Sequence, residues 1–331
     1  MFSKAAAFAF CLLASLNLLA QTATRHFTFH YAFVVRNTSP GARLRVWIPL
    51  AHSDANQQVK VISIHSDLPV KRTVERAYGN RMLYAETAKA TASDYRFAID
   101  YDVERKERAA LANSKPVARN ATVTQADQER FLQPDRLVPV SGVPAQIAAR
   151  QVAGARSELE RSRALYNYVL RNMRYDKTGT GWGHGDVLYA CNARKGNCTD
   201  FHSLFISLAR SQGIPARFEI GFPLPADQRA AEIPGYHCWA DFYLHGAGWV
   251  PVDISEAWQQ PDKRDYFFGA LDANRMQFTL GRDLILSPRQ DGEPLNYFIY
   301  PYVEMNGREY HNISNNFSFT DVRGTISAAG K

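Results

Sequence analysis

The chain has 331 residues, of which 46 % are hydrophobic, 21 % charged and 12 % aromatic. That composition leaves room for two folded domains and excludes disorder and a long coiled coil. Lys and Arg number 39 against 32 Asp and Glu, a net charge of +7, too small an excess to name nucleic acid as a partner without a basic stripe, and no stripe is present. Four cysteines in a chain this long are not a disulfide scaffold, so each is read by its position.

Met1 to Lys4 carry one positive charge, and the apolar run Ala5 to Ala20 ends in polar Gln-Thr-Ala-Thr. This is the pattern of a signal peptide over residues 1–20, cut after Ala20 or Ala23. A membrane anchor is the competing reading, but the run is short and its end polar, so no stable span is expected after signal removal. Cys11 leaves with the signal, and an exported chain, secreted or periplasmic, keeps Cys191, Cys198 and Cys238.

From His26 the apolar residues take every second position: Phe27, Phe29, Tyr31, Phe33 and Val35. The same alternation returns at Leu44 to Leu50 and Tyr95 to Val103, with shorter runs at Val59 to Ile64 and Met82 to Tyr84. Strands separated by turn signals, with no helical period, predict a β-sandwich over 25–108. Residues 109–150 hold several Pro, Ala and Gln with weak periodicity and read as a connector. Ser157-Glu-Leu-Glu160 is a capping-box pattern and opens a helix to about 173. Glycine at every second position of Gly179-Thr-Gly-Trp-Gly-His-Gly185 excludes a helix and predicts a mobile loop. Asn197 then reads as an N-cap, with Phe201, Leu204, Phe205 and Leu208 on one helical face and Gly213 and Pro215 as the stop. Strands follow at Arg217 to Phe222, Tyr236 to Leu244, Trp249 to Ile254, Met276 to Leu286 and Asn296 to Met305. The second half, 151–331, is therefore α+β, helices first and an antiparallel sheet after.

Cys198 lies in the first turn of an amphipathic helix, where unsatisfied N–H groups and the positive dipole end favour a thiolate, the nucleophilic form. A small buried residue at a helix start is the bland alternative. On the predicted strand, His237 shares a face with Trp239, Asp241 and Tyr243. A hairpin loop of Tyr243 to Ala247 sets His237 opposite Asp253, close enough for the carboxylate to take the Nδ1 proton; a register shifted by one puts the two on opposite faces. Cys198, His202, Cys191 and His237 carry zinc-ligand chemistry, but paired Cys-x-x-Cys or His-x-x-x-His clusters are lacking and no metal or other cofactor is expected. His202 as the base lacks an evident carboxylate partner.

Three pieces together, Gly196-Asn-Cys198-Thr-Asp200-Phe201, then Gly213-Ile-Pro-Ala-Arg217, then His237-Cys-Trp239-Ala-Asp241-Phe242 with Gly248-Trp249-Val-Pro-Val-Asp253, resemble the transglutaminase-like superfamily of papain-like Cys-His-Asp enzymes. The resemblance covers about residues 155 to 260. It implies an N-terminal β-sandwich followed by a papain-like core, with Cys198 as nucleophile, His237 as general base and acid, and Asp253 as orienting carboxylate. It also implies attack on a peptide or amide carbonyl through a thioester acyl-enzyme. Hydrolysis is the favoured outcome. Transamidation and a non-catalytic envelope binding module that keeps the fold are the alternatives, and the partner is a peptide or protein substrate in the cell envelope. Asp241 is a departure, since many relatives carry Glu there.

The backbone N–H of Cys198 is the first oxyanion donor. Trp182, His184 and Tyr175 are candidates for a second, and Trp239 and Asp241, with the aromatic rings of Tyr236 and Trp258, for substrate contacts. Cys191 and Cys238 are expected either to bridge behind the site, leaving Cys198 free, or to be two buried thiols.

Overall fold

The computed structural model describes residues 23–111 and 124–326. The expected signal peptide lies outside the described residues, as does part of the 109–150 connector.

The alternating runs of the first third fold as expected into β1 (Thr24–Val35), β2 (Leu44–Pro49), β3 (Gln57–Ser66), β5 (Arg81–Thr87) and β6 (Tyr95–Lys106), and a further strand, β4 (Val70–Val74), joins them. In β1 every second residue is buried, from Arg25 through Phe27 to Val35, and the residues between face outward, which is the two-residue period of a half-buried strand. A short β7 (Arg108–Ala109) leaves this unit.

The connector is more structured than its weak periodicity predicts. It holds α1 (Gln125–Arg130) and α2 (Val143–Val152). Pro144 and Ala148 of α2 are buried, so the face that packs is made of small residues and carries little hydrophobic contrast. Then come α3 (Glu158–Asn172), whose first-turn Glu160 N–H is accepted by the Ser157 side chain as expected, β8 (Arg174–Tyr175), α4 (Val187–Ala193) and β9 (Lys195–Gly196). The helix α5 (Cys198–Ser211) is buried from Cys198 to Arg210, the central rod of the second half.

The remaining elements are β10 (Ala216–Pro223), β11 (Ala230–Glu232), β12 (His237–Leu244), β13 (Gly248–Val252), α6 (Ile254–Gln259), β14 (Ala270–Leu271), β15 (Arg275–Leu280), β16 (Tyr302–Met305), β17 (Arg308–Glu309) and β18 (Ile313–Ile326). Strands β13-β12-β10-β15 form a four-stranded sheet against α5. This is the helix-and-antiparallel-sheet arrangement predicted for the second half.

Where the last strands go differs from expectation. The sandwich consists of two five-stranded sheets, ordered β11-β18-β1-β6-β3 and β17-β16-β2-β5-β4. Strand β18 is antiparallel to β1, with Phe319 opposite Phe29 and Phe317 opposite Tyr31, and β16 pairs with β2. The C-terminal strands thus complete the N-terminal sandwich and are not extensions of the 151–331 unit. Alternation in the sequence announces a strand, but its partner is set by long-range packing.

One apolar core is continuous through both halves. Phe222 of β10 lies 5.2 Å from Phe29, 4.6 Å from Phe317 and 5.2 Å from Phe278, ring centre to ring centre. At the same junction the Gln57 amide donates to the Gln277 carbonyl at 3.0 Å and accepts the Gln277 N–H at 3.0 Å, so these two residues satisfy each other across it. The sandwich therefore buttresses the sheet that carries the site. Phe222→Ala is expected to cost about 3–5 kcal/mol and to lower the denaturant midpoint of near-ultraviolet and far-ultraviolet signals together in one transition. Two separated transitions would contradict the shared core.

Candidate active site

Cys198 is positioned by the start of α5. The Asn197 side chain accepts the Thr199 N–H at 2.9 Å, and the Asp200 carboxylate accepts the Asn197 N–H at 2.9 Å, the reciprocal box that closes a helix N-terminus. A Cβ on Gly196 would stand 2.1 Å from Asp200 Oδ2, so this glycine makes room for the capping carboxylate. Asp200 reaches further, accepting the N–H of Gly183 at 2.7 Å and of Gly185 at 3.0 Å. Arg282 donates to the carbonyls of Gly185 at 3.0 Å and His184 at 2.8 Å. The glycine loop expected to be mobile is in this way tied at both faces. Its glycines 179, 181, 183 and 185 all have positive φ, which accounts for their spacing without mobility.

The hairpin that brings the histidine is two residues tighter than expected. Leu244 pairs with Gly248, Tyr243 with Trp249 and Ala240 with Val252. Two residues are one full period of a strand, so His237 and Asp253 keep a common face despite the shift. His237 Nε2 lies 2.8 Å from Asp253 Oδ2. The expectation of Nδ1 in that contact is corrected: Nε2 takes the carboxylate and Nδ1 is left over, on a ring close enough to Cys198 for each group to shift the other's ionisation.

Asp253 is fully buried, and four donors meet it. Oδ2 also accepts from Arg275 Nη1 at 2.8 Å, while Oδ1 accepts the Glu256 N–H at 3.1 Å and the Ser255 hydroxyl at 3.2 Å. Burial works against its charge, but His237 and Arg275 hold the carboxyl well below the usual range. Burial likewise pushes the Cys198 thiol up, and hydrogen bonds to Cys238 and His237 with the imidazole's charge outweigh it, so the thiol sits well below its ordinary value. His237 is raised well above its own, because Asp253 and Cys198 overcome its desolvation. These opposed shifts favour a thiolate beside an imidazolium over a neutral thiol and imidazole.

The other cysteines do not bridge. All three described cysteines are free thiols. Cys238 turns toward the start of α5, its Sγ 3.8 Å from Thr199 Oγ1 and 3.8 Å from His202 Nδ1 and hydrogen-bonded to Cys198, whereas Cys191 is half-buried on α4. His202 commits Nε2 to the Ile254 N–H at 2.9 Å, so that lone pair is not offered to a metal. Among the described residues no group of three or more His, Cys, Asp or Glu gathers as a metal site.

Of the further candidates, Tyr175 and Tyr236 are close enough to the thiol to feel its charge. Strand β8 is parallel to β9 with Tyr175 at the register of Gly196, and its phenol is raised by burial and then by the negative Cys198 nearby. Trp182 donates Nε1 to the Gly179 carbonyl at 3.1 Å within its own loop, and the His184 side chain is exposed. Trp239 is wholly buried with Nε1 on Glu219 Oε2 at 2.7 Å. Asp241 is buried between Arg108 at 2.9 Å and Arg217 at 2.7 Å. The last two are internal supports and not substrate contacts. Tyr236 is half-buried, its hydroxyl 2.9 Å from Thr199 Oγ1 and accepting from Asn197 Nδ2 at 3.2 Å; Trp258 is half-buried on α6.

Sequence reading missed Arg275 and Arg282. The available signal was a cation inside an alternating run: Met276 and Phe278 face the core, and Arg275, on the other face of β15, is also buried, which demands a carboxylate partner. Buried His202 has its own consequence, since burial lowers its pKa to about 4. Its unfolded form takes up a proton near pH 6.5, so this group removes stability as pH falls from 6.5 toward 4, by about 2 kcal/mol between 6.5 and 5. Urea midpoints at the two pH values should differ less in His202→Asn than in the unsubstituted protein; an equal difference would contradict a neutral His202.

Residues 145–254 match the family model of the transglutaminase-like superfamily. An uncharacterised protein of Haemophilus influenzae is 29 % identical over 318 residues, covering 85 % of each chain. Among solved structures, a candidate cysteine protease from Cytophaga hutchinsonii superposes with a TM-score of 0.60 at 14 % identity, covering 92 % of this chain and 93 % of that one, a likeness of fold that extends over sandwich and core alike. The likeness to the transglutaminase-like superfamily is thus carried by the helix-and-sheet core over residues 145–254.

Proposed function

We propose that the protein is an exported cysteine hydrolase that cleaves a peptide or amide bond of a cell-envelope substrate, with Cys198 as nucleophile, His237 as general acid and base, and Asp253 as the orienting carboxylate. The observation that carries this reading is a thiol at a helix N-terminus beside an imidazole whose Nε2 lies 2.8 Å from a buried carboxylate. Export rests on the apolar leader, which is read from sequence.

The thiolate attacks the carbonyl carbon, the C–S bond forms, and the carbonyl electrons move to oxygen. The Cys198 N–H takes no partner among the described residues and the Tyr175 phenol is close enough to feel the Cys198 charge, so these two are assigned as the donors for the oxyanion. Collapse expels the amine, which leaves with the proton of His237 Nδ1. The neutral imidazole then takes a proton from water as it attacks the thioester, and Cys198 departs again as thiolate. Asp253 fixes the ring's rotation and stabilises the imidazolium throughout. Water is the acceptor in this reading, because no residue of the site is committed to an amine.

Labelling with a thiol-directed acyl-enzyme probe at pH 7 should be abolished in Cys198→Ala and fall about 10²–10⁴-fold in His237→Ala, with Asp253→Asn between. Equal labelling of the unsubstituted protein and His237→Ala would overturn the activated nucleophile. Tyr175→Phe should lower turnover about 10²-fold or more while leaving thiol alkylation unchanged; unchanged turnover would remove Tyr175 from the oxyanion site.

A further inference from the structure

The triad reading leaves one charged group unused. Arg275 comes from β15, two strands away from β12 in the sheet order β13-β12-β10-β15. It is 3 % exposed, its guanidinium lies 5.0 Å from the centre of the Trp239 ring, and Nη1 donates to Asp253 Oδ2 at 2.8 Å. That is the same oxygen that receives His237 Nε2 at 2.8 Å. Nη2 is steadied by Asp272 at 3.4 Å.

We infer that Arg275 is a positioning residue that sets the pH window of the Cys198–His237 pair by sharing the carboxylate oxygen on which the imidazole is held. The inference rests on the proposed function and deepens it. An imidazole whose only charged neighbour is a buried carboxylate gives up its proton reluctantly, yet the second half of the reaction needs a neutral ring to activate water. A cation on the same oxygen draws off part of the carboxylate's field. It disfavours the imidazolium and favours the thiolate, so it lowers both ionisations together. The bidentate fork of a guanidinium suits the task, because one arm holds Asp253 and the other is anchored on Asp272.

Other ionisable groups face the pair from each packed element: Asp200 and His202 from α5, Cys238 from β12, Tyr236 just before it, Tyr175 from β8 and Glu256 from α6. Glu256, Asp272 and Arg105 face the guanidinium itself. All of them remain when Arg275 alone is changed, so the difference between variants isolates its charge.

The test is the pH dependence of Cys198 alkylation by iodoacetamide, which needs no substrate. Arg275→Gln should move the thiolate midpoint up by about one pH unit, and Arg275→Lys, which restores the charge, should return it to within a few tenths of the original. The same comparison is run in an Asp253→Asn background, which removes the carboxylate through which Arg275 acts; there Arg275→Gln should move the midpoint by much less, and an equal shift in both backgrounds would overturn the shared oxygen as the route. A midpoint unchanged by Arg275→Gln in a folded protein, or one that Arg275→Lys fails to restore, would overturn the role of Arg275 while the proposed function stands. An unsubstituted protein whose Cys198 midpoint sits near that of an ordinary thiol would instead overturn the proposed function.

Discussion

A buried carboxylate without partners is among the most costly groups a protein interior can hold, and Asp253 is wholly buried. Its position is tolerable because donors converge on it from β12, β15 and the first turn of α6. Each of those donors is thereby fixed as well. The carboxylate ends β13, caps α6, sets the rotation of the His237 ring and anchors the Arg275 guanidinium. With the ring oriented, its remaining nitrogen faces the first residue of α5. The geometry of the thiol and imidazole follows from a single burial cost and the way it is met.

A second carboxylate does the same for the other half of the site. Asp200 is buried at the start of α5 and accepts N–H groups from Asn197, Gly183 and Gly185, so the helix cap and the glycine loop are one hydrogen-bonded unit. Behind both, the sandwich supplies rigidity. Phe222 and Phe278 carry the sheet's far side into the aromatic cluster of β1 and β18, and the C-terminal strands close that cluster. A site of this kind needs its parts held to a fraction of an ångström, and the continuous core provides the hold.

Much of this was legible in the residues. Asn197 announced the helix start, and with it the situation of Cys198. The strand alternation put His237 and Asp253 on one face, and that conclusion survived a register error of two because face parity depends only on odd or even. The nitrogen was not legible, since a ring's rotation depends on where the thiol lies in space. Asp241, read as a substrate contact, is an internal ion-pair partner of Arg108 and Arg217, and Arg108 comes from 133 residues away. Arg275, β18 and Arg282 share the same difficulty: a charge or an alternating run states that a partner is required, and only the folded topology states which. The glycine loop shows the converse, because glycines required by positive φ look in sequence the same as glycines that confer mobility.

In the proposed mechanism Cys198 and His237 exist as a thiolate–imidazolium pair held by Asp253. Nitrogen-15 nuclear magnetic resonance of the histidine rings at pH 7, with the His237 signals assigned by their loss in His237→Ala, reads this directly. The account predicts that both ring nitrogens of His237 are protonated, and that the ring becomes neutral at lower pH than before when Cys198 is changed to Ala. A neutral His237 ring at pH 7 in the unsubstituted protein would contradict it.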